Sequence, residues 1–390
     1  MADADLRPAE APPLELYRAW PIWNGGLCAL YRSPNRGLSG AWAVVTAHRG
    51  LPEKIRAALA TGTPVLLPAL GAFVFQPRND PRLPESESLG RRREMERRLA
   101  EYLPENRRLR IRLRSYKPLY RAMTEYRFGD RVGEALYLKI QTRYAFRSLR
   151  RVYEDLVPSS EGPAQIVRPT SYLPDLQGIL WAERPGRSLR SCLAKGDASA
   201  LAPSARLLAA LHRRAIDLER LHDRDREIET VSEWTGATAE AFPEMASALE
   251  AAASSLVGAA AELPSPRLVT AHRDFHDEQI LVDRDRLELL DLDTLARAEP
   301  ELDVGNFLAH LELPADGHPV ARPGERFLDA YLDTGAELDG SVLAWHRASS
   351  LLRLACVYAF RPDSERRAPH LLERATIAVD RLRHRQEVTA

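Results

Sequence analysis

The feature that most constrains the fold is a β-hairpin pattern inside the otherwise helical second half of the chain. Two short apolar strands, Ile280–Val282 and Leu287–Leu290, are joined by the polar segment DRDR, a pattern typical of antiparallel strands linked by a tight turn. An antiparallel hairpin returns the chain to its starting point, so polar residues at its open end are expected to lie close together. Those residues are His272, Asp274 and Gln279 before the hairpin, and Asp291 and Asp293 after it.

The potential ligand atoms at this open end are mainly oxygens. Carboxylate and amide oxygens that converge on one point suit Mg²⁺, whereas zinc and copper prefer nitrogen and sulfur donors. His272 and His276 have the spacing of a zinc-binding helix, but Arg273 stands where that motif needs its glutamate. The pattern therefore predicts a magnesium site and argues against a zinc site.

The motif HRDFHDEQILVD, followed by LLDLD, resembles the catalytic and metal-binding loops of the aminoglycoside phosphotransferase and choline kinase group. This group is a branch of the protein-kinase-like superfamily, and its pattern is H-x-D-x-x-x-x-N, an apolar strand pair, and a metal-binding aspartate. The resemblance implies that Asp274 is the catalytic base and that Gln279, in place of the asparagine, binds metal together with Asp291. Asp293 is implied as a helper at the metal, and Asp303 as the structural aspartate that follows the metal loop.

The first half of the chain predicts an antiparallel meander. The segment RLRIRLR, Arg108–Arg114, alternates strictly between arginine and apolar residues, as a half-buried strand does. Two further strand-like runs, Tyr120–Phe128 and Glu134–Ile140, follow it with a glycine-bounded turn between them. An arginine-rich helix is predicted over Arg143–Leu156.

This meander supplies an independent check on the resemblance, which implies a lysine on the third strand and a glutamate on the next helix. Lys139, one of only four lysines in the chain, and Glu154 meet these two demands. An ion pair between them would hold the ammonium against the α- and β-phosphates of ATP. Lys117 lies in SYKPL, where a phosphate-covering loop belongs, and Ala182 and Arg184 lie in the segment that would bind adenine.

Each of these residues also has an ordinary structural interpretation. A strand lysine can extend its ammonium group to solvent, and an acid on a helix is often only a surface group. Aspartates in a polar hairpin, such as Asp283 and Asp285, are usually solvated turn residues. We favour the functional interpretation of Asp274 and its partners because their spacing agrees with the remote lysine and glutamate.

The resemblance implies an α/β (α+β) protein with a two-lobed, protein-kinase-like fold. Residues 106–185 are expected to form a small N-lobe with an antiparallel sheet, and residues 186–390 a mainly helical C-lobe that carries the catalytic and metal loops. Within the C-lobe, the spacing of leucines predicts a helix over Pro203–Leu221. Residues 1–105 lie outside the resemblance, and their mixed pattern predicts an α/β accessory region with a linker helix.

The composition is that of a folded globular protein, with 45% hydrophobic and 28% charged residues. Lys+Arg and Asp+Glu both number 55, which argues against a wholly basic protein made to bind nucleic acid or membranes. The three cysteines are far apart and include no CxxC pair, so no disulfide framework is expected. Because the start lacks a signal-peptide pattern and the most apolar stretch, Thr63–Phe75, holds two prolines, we expect a cytoplasmic location without membrane attachment.

The expected activity is that of an ATP- and Mg²⁺-dependent small-molecule kinase, which moves the γ-phosphoryl group to a hydroxyl. The acceptor would be an amino sugar, an amino alcohol, a sugar or a similar molecule, and the sequence does not select among them. A non-catalytic, nucleotide-binding regulator with a kinase-like fold is the alternative. The arginine-rich residues 91–151 leave a third reading open, with RNA or protein as partner, but a solvated lobe that attracts ATP phosphates explains them better.

Overall fold

The computed structural model describes residues 14–22, 26–33, 37–47, 51–61, 64–105, 108–156, 164–313, 320, 322–362 and 364–389. The chain forms two compact units, one of Met1–Phe146 with Pro169–Glu183 and the other of Arg147–Arg168 with Arg184–Ala390. The division into residues 1–105, 106–185 and 186–390 stays a prediction.

The strands within these residues follow in chain order. They are β1 (Glu15–Ile22), β2 (Gly26–Ser33), β3 (Gly37–Ala47), β4 (Val65–Leu67), β5 (Ala72–Phe75), β6 (Arg110–Lys117), β7 (Arg121–Arg127), β8 (Ala135–Gln141), β9 (Ala164–Ile166), β10 (Ser171–Leu173), β11 (Gly178–Ala182), β12 (Arg187–Ser188), β13 (Val269–Ala271), β14 (Ile280–Asp283), β15 (Arg286–Leu289) and β16 (Ala296–Ala298).

The α-helices are named in the same way. They are α1 (Glu53–Thr61), α2 (Arg92–Arg98), α3 (Arg143–Leu156), α4 (Leu189–Leu193), α5 (Leu201–His212), α6 (Arg224–Ala241), α7 (Ala246–Ala260), α8 (Pro300–Leu311), α9 (Pro323–Leu332), α10 (Gly340–Ala359) and α11 (Ser364–Thr389). None of the helices among the described residues is long and apolar enough to cross a membrane.

The first unit contains two antiparallel sheets. One has the strand order β1-β2-β3-β5-β4 and the other the order β10-β11-β8-β7-β6. The β6-β7-β8 portion confirms the predicted meander, and the arginines at positions 110, 112 and 114 are exposed as the alternation indicates. A register shift between Leu113 and Ser115 ends this alternation, so that Tyr116 is buried. Such a bulge inserts one unpaired residue and turns the following side chains to the other face.

One hydrophobic core runs through both sheets of the first unit. It joins Leu30 of β2 and Leu138 of β8 with Met95 of α2 and with Leu99, the residue that directly follows α2. The spacing of these two residues by one helical turn puts them on one buried face, while the arginines of α2 stay at the surface. The described residues before position 105 therefore share one hydrophobic core with the meander.

The second unit is mainly helical. One of its cores is formed between α6, α7, α10 and α11, where Trp345 is fully buried and donates its indole N–H to the Leu256 carbonyl at 2.8 Å. Two small sheets accompany the helices, with the strand order β12-β14-β15-β9 in one and the pair β13-β16 in the other. The hairpin predicted from the sequence is the antiparallel pair β14-β15, in which Ile280 lies opposite Leu289.

The helix predicted over Pro203–Leu221 is too long at its C-terminal end. The observed helix α5 ends at His212, and the chain then runs extended beside β16. There Arg297 donates its backbone N–H to Arg220 and accepts the N–H of His222, each at 2.9 Å. Pairing with a strand satisfies backbone groups that a helix would otherwise satisfy, so local leucine spacing did not decide the structure here.

Truncation of a core residue tests the shared packing of the first unit. Met95→Ala should lower the free energy of unfolding by about 2–5 kcal/mol, because it leaves a cavity where a fully buried side chain was. Arg93→Ala, on the exposed side of α2, should change it by less than about 0.5 kcal/mol. Urea unfolding followed by circular dichroism measures both values. A similar, small effect of the two changes would contradict the burial of this helix.

Candidate active site

The hairpin β14-β15 brings together the two chain segments that the sequence pattern singled out. The backbone N–H of Leu290 donates to the carbonyl of Gln279 at 2.9 Å. The ring nitrogen Nε2 of His272 lies 2.9 Å from the Leu290 carbonyl, and the hydroxyl of Thr294 donates to the His272 carbonyl at 2.8 Å. The segments 272–279 and 290–294 are thus tied to each other mainly through backbone groups.

A buried carboxylate, that of Asp303, determines the course of the first segment. It accepts the backbone N–H of His272 at 2.7 Å and that of Arg273 at 2.6 Å, and His212 Nε2 lies 3.0 Å away. Burial alone would raise the pKa of Asp303, but the hydrogen bond and electrostatic interaction with His212, together with those of His272, outweigh it and hold the pKa below its ordinary value. The group is therefore a charged anchor inside the protein.

Three side chains on one face of α8 support the loop in turn. Asp303, Asn306 and His310 are spaced at three and four residues, which places them along one side of a helix. Asn306 donates its amide to the Phe275 carbonyl at 3.0 Å, and His310 stacks on His276 with ring centroids 4.2 Å apart. Successive turns of this helix thus contact successive residues of the loop.

An ion pair holds the far end of the loop. Arg190 of α4 donates through Nε and Nη2 to one oxygen of Asp277, at 3.3 and 3.1 Å, and its backbone N–H donates to the Asp277 carbonyl. Asp277 is fully buried, so removal of the arginine would leave a charge inside the protein without its main partner.

Between these supports, the side chain of Asp274 reaches the surface. It is 40% exposed, whereas its neighbours Phe275, His276 and Asp277 are buried. The preceding residue, Arg273, has a φ of 67°, a left-handed conformation that is costly for a residue with a side chain. Such backbone strain is concentrated at functional sites, where the surroundings enforce it. An accessible carboxylate on a rigid loop is suited to accept a proton from a bound molecule.

In the second segment, residues 290–294, Asp291 also has a left-handed backbone, with a φ of 53°. A short 3₁₀ turn, Leu292–Thr294, follows it, and Arg220 donates to the Asp293 carbonyl at 2.6 Å. Asp291, Asp293 and Gln279 are all half-buried. The backbone hydrogen bond from Leu290 to Gln279 brings the Gln279 amide and the carboxylates of Asp291 and Asp293 to one end of the hairpin. These ligand atoms are of the kind that fits Mg²⁺.

A second group of potential ligands is formed by Asp274, His276 and His310, whose ligand atoms all lie within 4.8 Å of one another. The two imidazole planes are nearly parallel, at 8°. Their in-plane lone pairs therefore cannot both point at one ion, as tetrahedral zinc requires. Burial, aided by electrostatic interactions with His276 and with Arg353, holds the pKa of His310 well below its ordinary value, so this ring is neutral at pH 7. The geometry favours a stacked support for the loop over a metal site.

The site residues predicted in the first unit lie on its second sheet. Lys139 is in the central strand β8, between Met123 and Ile179 on the flanking strands, and is only 6% exposed. Lys117 ends β6, with its ammonium 4.8 Å from the ring centroid of Tyr120. Ala182 ends β11 and donates its backbone N–H to the hydroxyl of Thr170 at 2.8 Å.

The remaining predicted site residues lie in the second unit. Glu154 of α3 accepts a hydrogen bond from Arg150 at 2.8 Å and is 48% exposed. Arg184 donates through Nε to both oxygens of the buried Glu288, at 2.8 and 3.0 Å. Its side chain is therefore engaged in an ion pair, which leaves its backbone as the part suited to contact a base. The ion pair between Lys139 and Glu154 stays a prediction.

Sequence reasoning missed the supporting residues Asn306, His310 and Arg190. The first two carried a signal, because polar residues at helical spacing on an otherwise apolar helix indicate that this face meets polar backbone. Arg190 carried none, since one arginine among many gives no indication of which carboxylate it will meet. His212 is buried, and its two ring nitrogens contact the hydroxyl of Tyr331 and the carboxylate of Asp303.

Comparison with known proteins associates this geometry with phosphoryl transfer. The model of the phosphotransferase enzyme family matches residues 126–340, which is more than half of the chain. That range includes β8, the loop of Asp274 and both hairpin strands. No curated protein sequence matches the chain.

Solved structures of kinases resemble the chain in fold. The choline kinase LicA of Streptococcus pneumoniae has 11% identity and a TM-score of 0.53, over 74% of this chain and 98% of the kinase. A choline kinase of Cryptosporidium parvum Iowa II has 11% identity and a TM-score of 0.50, over 74% and 91%. A spectinomycin phosphotransferase in complex with ADP and spectinomycin has 10% identity and a TM-score of 0.50, over 74% and 98%. These likenesses, with the observed sheets and helices, confirm the predicted kinase-like fold.

The buried anchor of the loop predicts a pH-dependent loss of stability in Asp303→Asn. Asparagine has nearly the same size, but its side-chain NH₂ group is a donor and cannot accept the N–H groups that the carboxylate accepts. The free energy of unfolding should therefore fall by about 2–4 kcal/mol at pH 7. Because the pKa of Asp303 is lowered by folding, its contribution is fully present above the ordinary aspartate pKa and disappears as the pH falls through the lowered value.

The measurement is urea unfolding of parent and variant at pH 7 and at pH 3, with the exposed Asp329→Asn on α9 as control. We expect the difference between parent and Asp303→Asn to shrink at pH 3 and the control to match the parent at pH 7. A difference that stays constant with pH would contradict a charged Asp303.

Proposed function

This chain belongs to the phosphotransferase enzyme family, and we propose on that premise that it uses ATP and Mg²⁺ to phosphorylate a hydroxyl group of a small molecule. The enzyme class follows from the family, whereas the nucleotide, the metal, the acceptor and the residue roles are the proposal. The observation that carries it is the accessible carboxylate of Asp274, on a loop whose neighbouring backbone is held by the buried Asp303.

Asp274 would act on the acceptor. Phosphoryl transfer needs little covalent help from the protein, so its main requirements are position and neutralised charge. A carboxylate can accept a hydrogen bond from the acceptor hydroxyl, orient its oxygen, and take the proton as the phosphoryl group arrives. The supports around the loop favour this role, because a base that moved would lose its alignment.

Gln279 and Asp291 would hold Mg²⁺, with Asp293 as a helper. When bound, the metal neutralises the charge that the phosphates carry and develop during transfer. The amide oxygen of Gln279 and the carboxylates are donors of the kind this ion prefers. Their half-buried positions allow them to reach a ligand at the surface of the loop.

Residues of the meander and of the segment after it would hold ATP. Lys139, held in place by an ion pair with Glu154, would bind the α- and β-phosphates. Lys117, at the turn that follows β6, would also contact phosphates. Backbone groups of Ala182 and Arg184 would bind adenine. The ADP bound to the spectinomycin phosphotransferase supports an adenine nucleotide for this family member as well.

The acceptor is proposed by class only. An amino alcohol, an amino sugar or a sugar would fit, since the structural relatives include choline kinases and a spectinomycin phosphotransferase. We also propose that the chain acts in the cytoplasm, where ATP is abundant, without nucleic acid as a partner. Residues 106–185 and 186–390 would correspond to the N- and C-lobes, with 1–105 as the accessory region.

A nucleotide-binding regulator without catalytic activity is the second candidate. The observation that favours it is Gln279, because its longer side chain stands where the family has the metal-binding asparagine. A screen with labelled ATP and Mg²⁺ across amino alcohols, amino sugars, sugars and nucleosides separates the two functions. Phosphorylated product identifies the kinase, whereas ATP binding without any product identifies the regulator.

Nucleotide binding should depend on metal and on Lys139. Millimolar ATP with Mg²⁺ should raise the melting temperature of the parent through ligand linkage. Lys139→Ala should reduce this rise and weaken ATP affinity about tenfold or more, because a charge that contacts phosphate is lost. Lys54→Ala, an exposed lysine of α1, is the matched control and should leave both unchanged. Equal effects of the two changes would show that Lys139 does not contribute to nucleotide binding.

Asp274→Asn separates chemistry from binding. This change keeps the size of the side chain but removes its basicity, so turnover should fall by about 10² or more while ATP affinity and melting temperature stay near those of the parent. Asp291→Asn should instead weaken Mg²⁺-supported nucleotide binding. Asp285→Asn, in the exposed turn of the hairpin, should match the parent in all three measurements. Normal turnover of Asp274→Asn would show that Asp274 is not the base.

A further inference from the structure

The turn between β6 and β7 has an unusual conformation for its sequence. The backbone N–H of Tyr120 donates to the Lys117 carbonyl at 3.1 Å, which closes a four-residue β-turn. Pro118 is suited to the second position, and the third position, occupied by Leu119, has a φ of 68°. Glycine or asparagine normally occupies that third position, because other side chains are strained at positive φ. Leu119 is instead fully buried.

A buried carboxylate, that of Asp80, holds this turn. One of its oxygens accepts the backbone N–H of Leu119 and the hydroxyl of Tyr116, each at 2.7 Å. Its other oxygen accepts the backbone N–H of Arg82 at 2.9 Å. Burial raises the pKa of Asp80, and the bonds from Leu119 and Tyr116 are the main opposing influence. The strained residue is thus fixed through its backbone by an acceptor 39 positions earlier in the chain.

The same contact arranges the exposed side of the turn. Two cations lie near the ring of Tyr120, with the ammonium of Lys117 at 4.8 Å and the guanidinium of Arg82 at 5.6 Å from its centroid. Arg82 is the residue whose backbone N–H is bonded to Asp80. The carboxylate therefore links the position of the turn to the position of two positive side chains beside it.

We propose that Asp80 is a positioning residue for the phosphates of the nucleotide, and that the accessory region serves catalysis through this residue, which holds the β6-β7 turn in one fixed conformation. The inference rests on the proposed function, in which this turn covers the phosphates. In protein kinases a glycine-rich loop covers the phosphates, and its glycines leave the backbone conformationally free. Here no GxGxxG motif is present, and a buried hydrogen-bonded carboxylate orders the turn before binding, which reduces the conformational entropy lost on association.

The test compares two changes at this contact with one matched control. Asp80→Asn keeps the size but cannot accept from Leu119, Tyr116 and Arg82 together, and Tyr116→Phe removes one donor while leaving the core filled. Asp130→Asn is the control, because it makes the same change in an exposed turn between β7 and β8 of the same sheet. The full-length chain is used throughout, with the acceptor found in the screen.

Four quantities are measured for each protein: the hydrogen exchange rate of the turn residues 117–121, the KM for ATP, the KM for the acceptor, and kcat. For Asp80→Asn we expect faster exchange and a KM for ATP raised about tenfold, with kcat and the KM for the acceptor changed less than about threefold. Tyr116→Phe should change the same two quantities in the same direction but less. Asp130→Asn should match the parent.

Three results would overturn the inference and are distinguishable from one another. In the first result, Asp80→Asn is folded and active and hydrogen exchange in the turn is faster, but the KM for ATP stays at the parental value. The turn then does not position the nucleotide, and the proposed function stands. If the parent itself neither binds ATP nor turns it over, the proposed function fails and this inference fails with it. A fall in kcat accompanied by a comparable rise in the KM values for ATP and for the acceptor would indicate a general structural role of Asp80. That result would also overturn the inference.

Discussion

The candidate site depends on one interaction, the hydrogen bonds that the buried Asp303 carboxylate accepts from the backbone of His272 and Arg273. A charge at full burial is stable only while its donors remain in place, so the carboxylate dictates where these two peptide groups lie. The left-handed backbone of Arg273 is maintained by the same bonds. Asp274 follows directly after these two residues, and its carboxylate reaches solvent.

The surrounding contacts extend this principle to the rest of the loop. Asn306 holds the carbonyl of Phe275, His310 stacks on His276, and Arg190 pairs with Asp277. Buried polar groups are stable when each has a partner with good geometry, and the outcome here is a rigid loop that presents the carboxylate of Asp274 to solvent. A similar device recurs in the first unit, where Asp80 fixes the backbone of Leu119. In both places a buried aspartate enforces a positive φ on a residue that is not glycine.

Much of the local structure could be predicted from hydrophobic patterns. The alternation of RLRIRLR, the helix over Arg143–Leu156 and the β14-β15 hairpin all have a period that one type of element satisfies best, and the structure confirms them. The helix expected over Pro203–Leu221 failed because backbone pairing with β16 competes with local spacing. The roles of Lys139, Glu154, Gln279 and Asp291 stay predictions, since motif spacing indicates a site but does not measure its geometry.

The sequence by itself determined which residues are chemically able to form the site, because the spacing of Asp274, Gln279 and Asp291 around a hairpin follows from local strand periodicity. Tertiary structure alone decided which groups support them. Arg190 and Asp277 are 87 residues apart, and Asp80 and Leu119 are 39 apart, so no periodic pattern connects their positions. Such pairs form only because packing of the hydrophobic core brings distant segments together, and burial then requires each polar group to find the partner that is nearest in space.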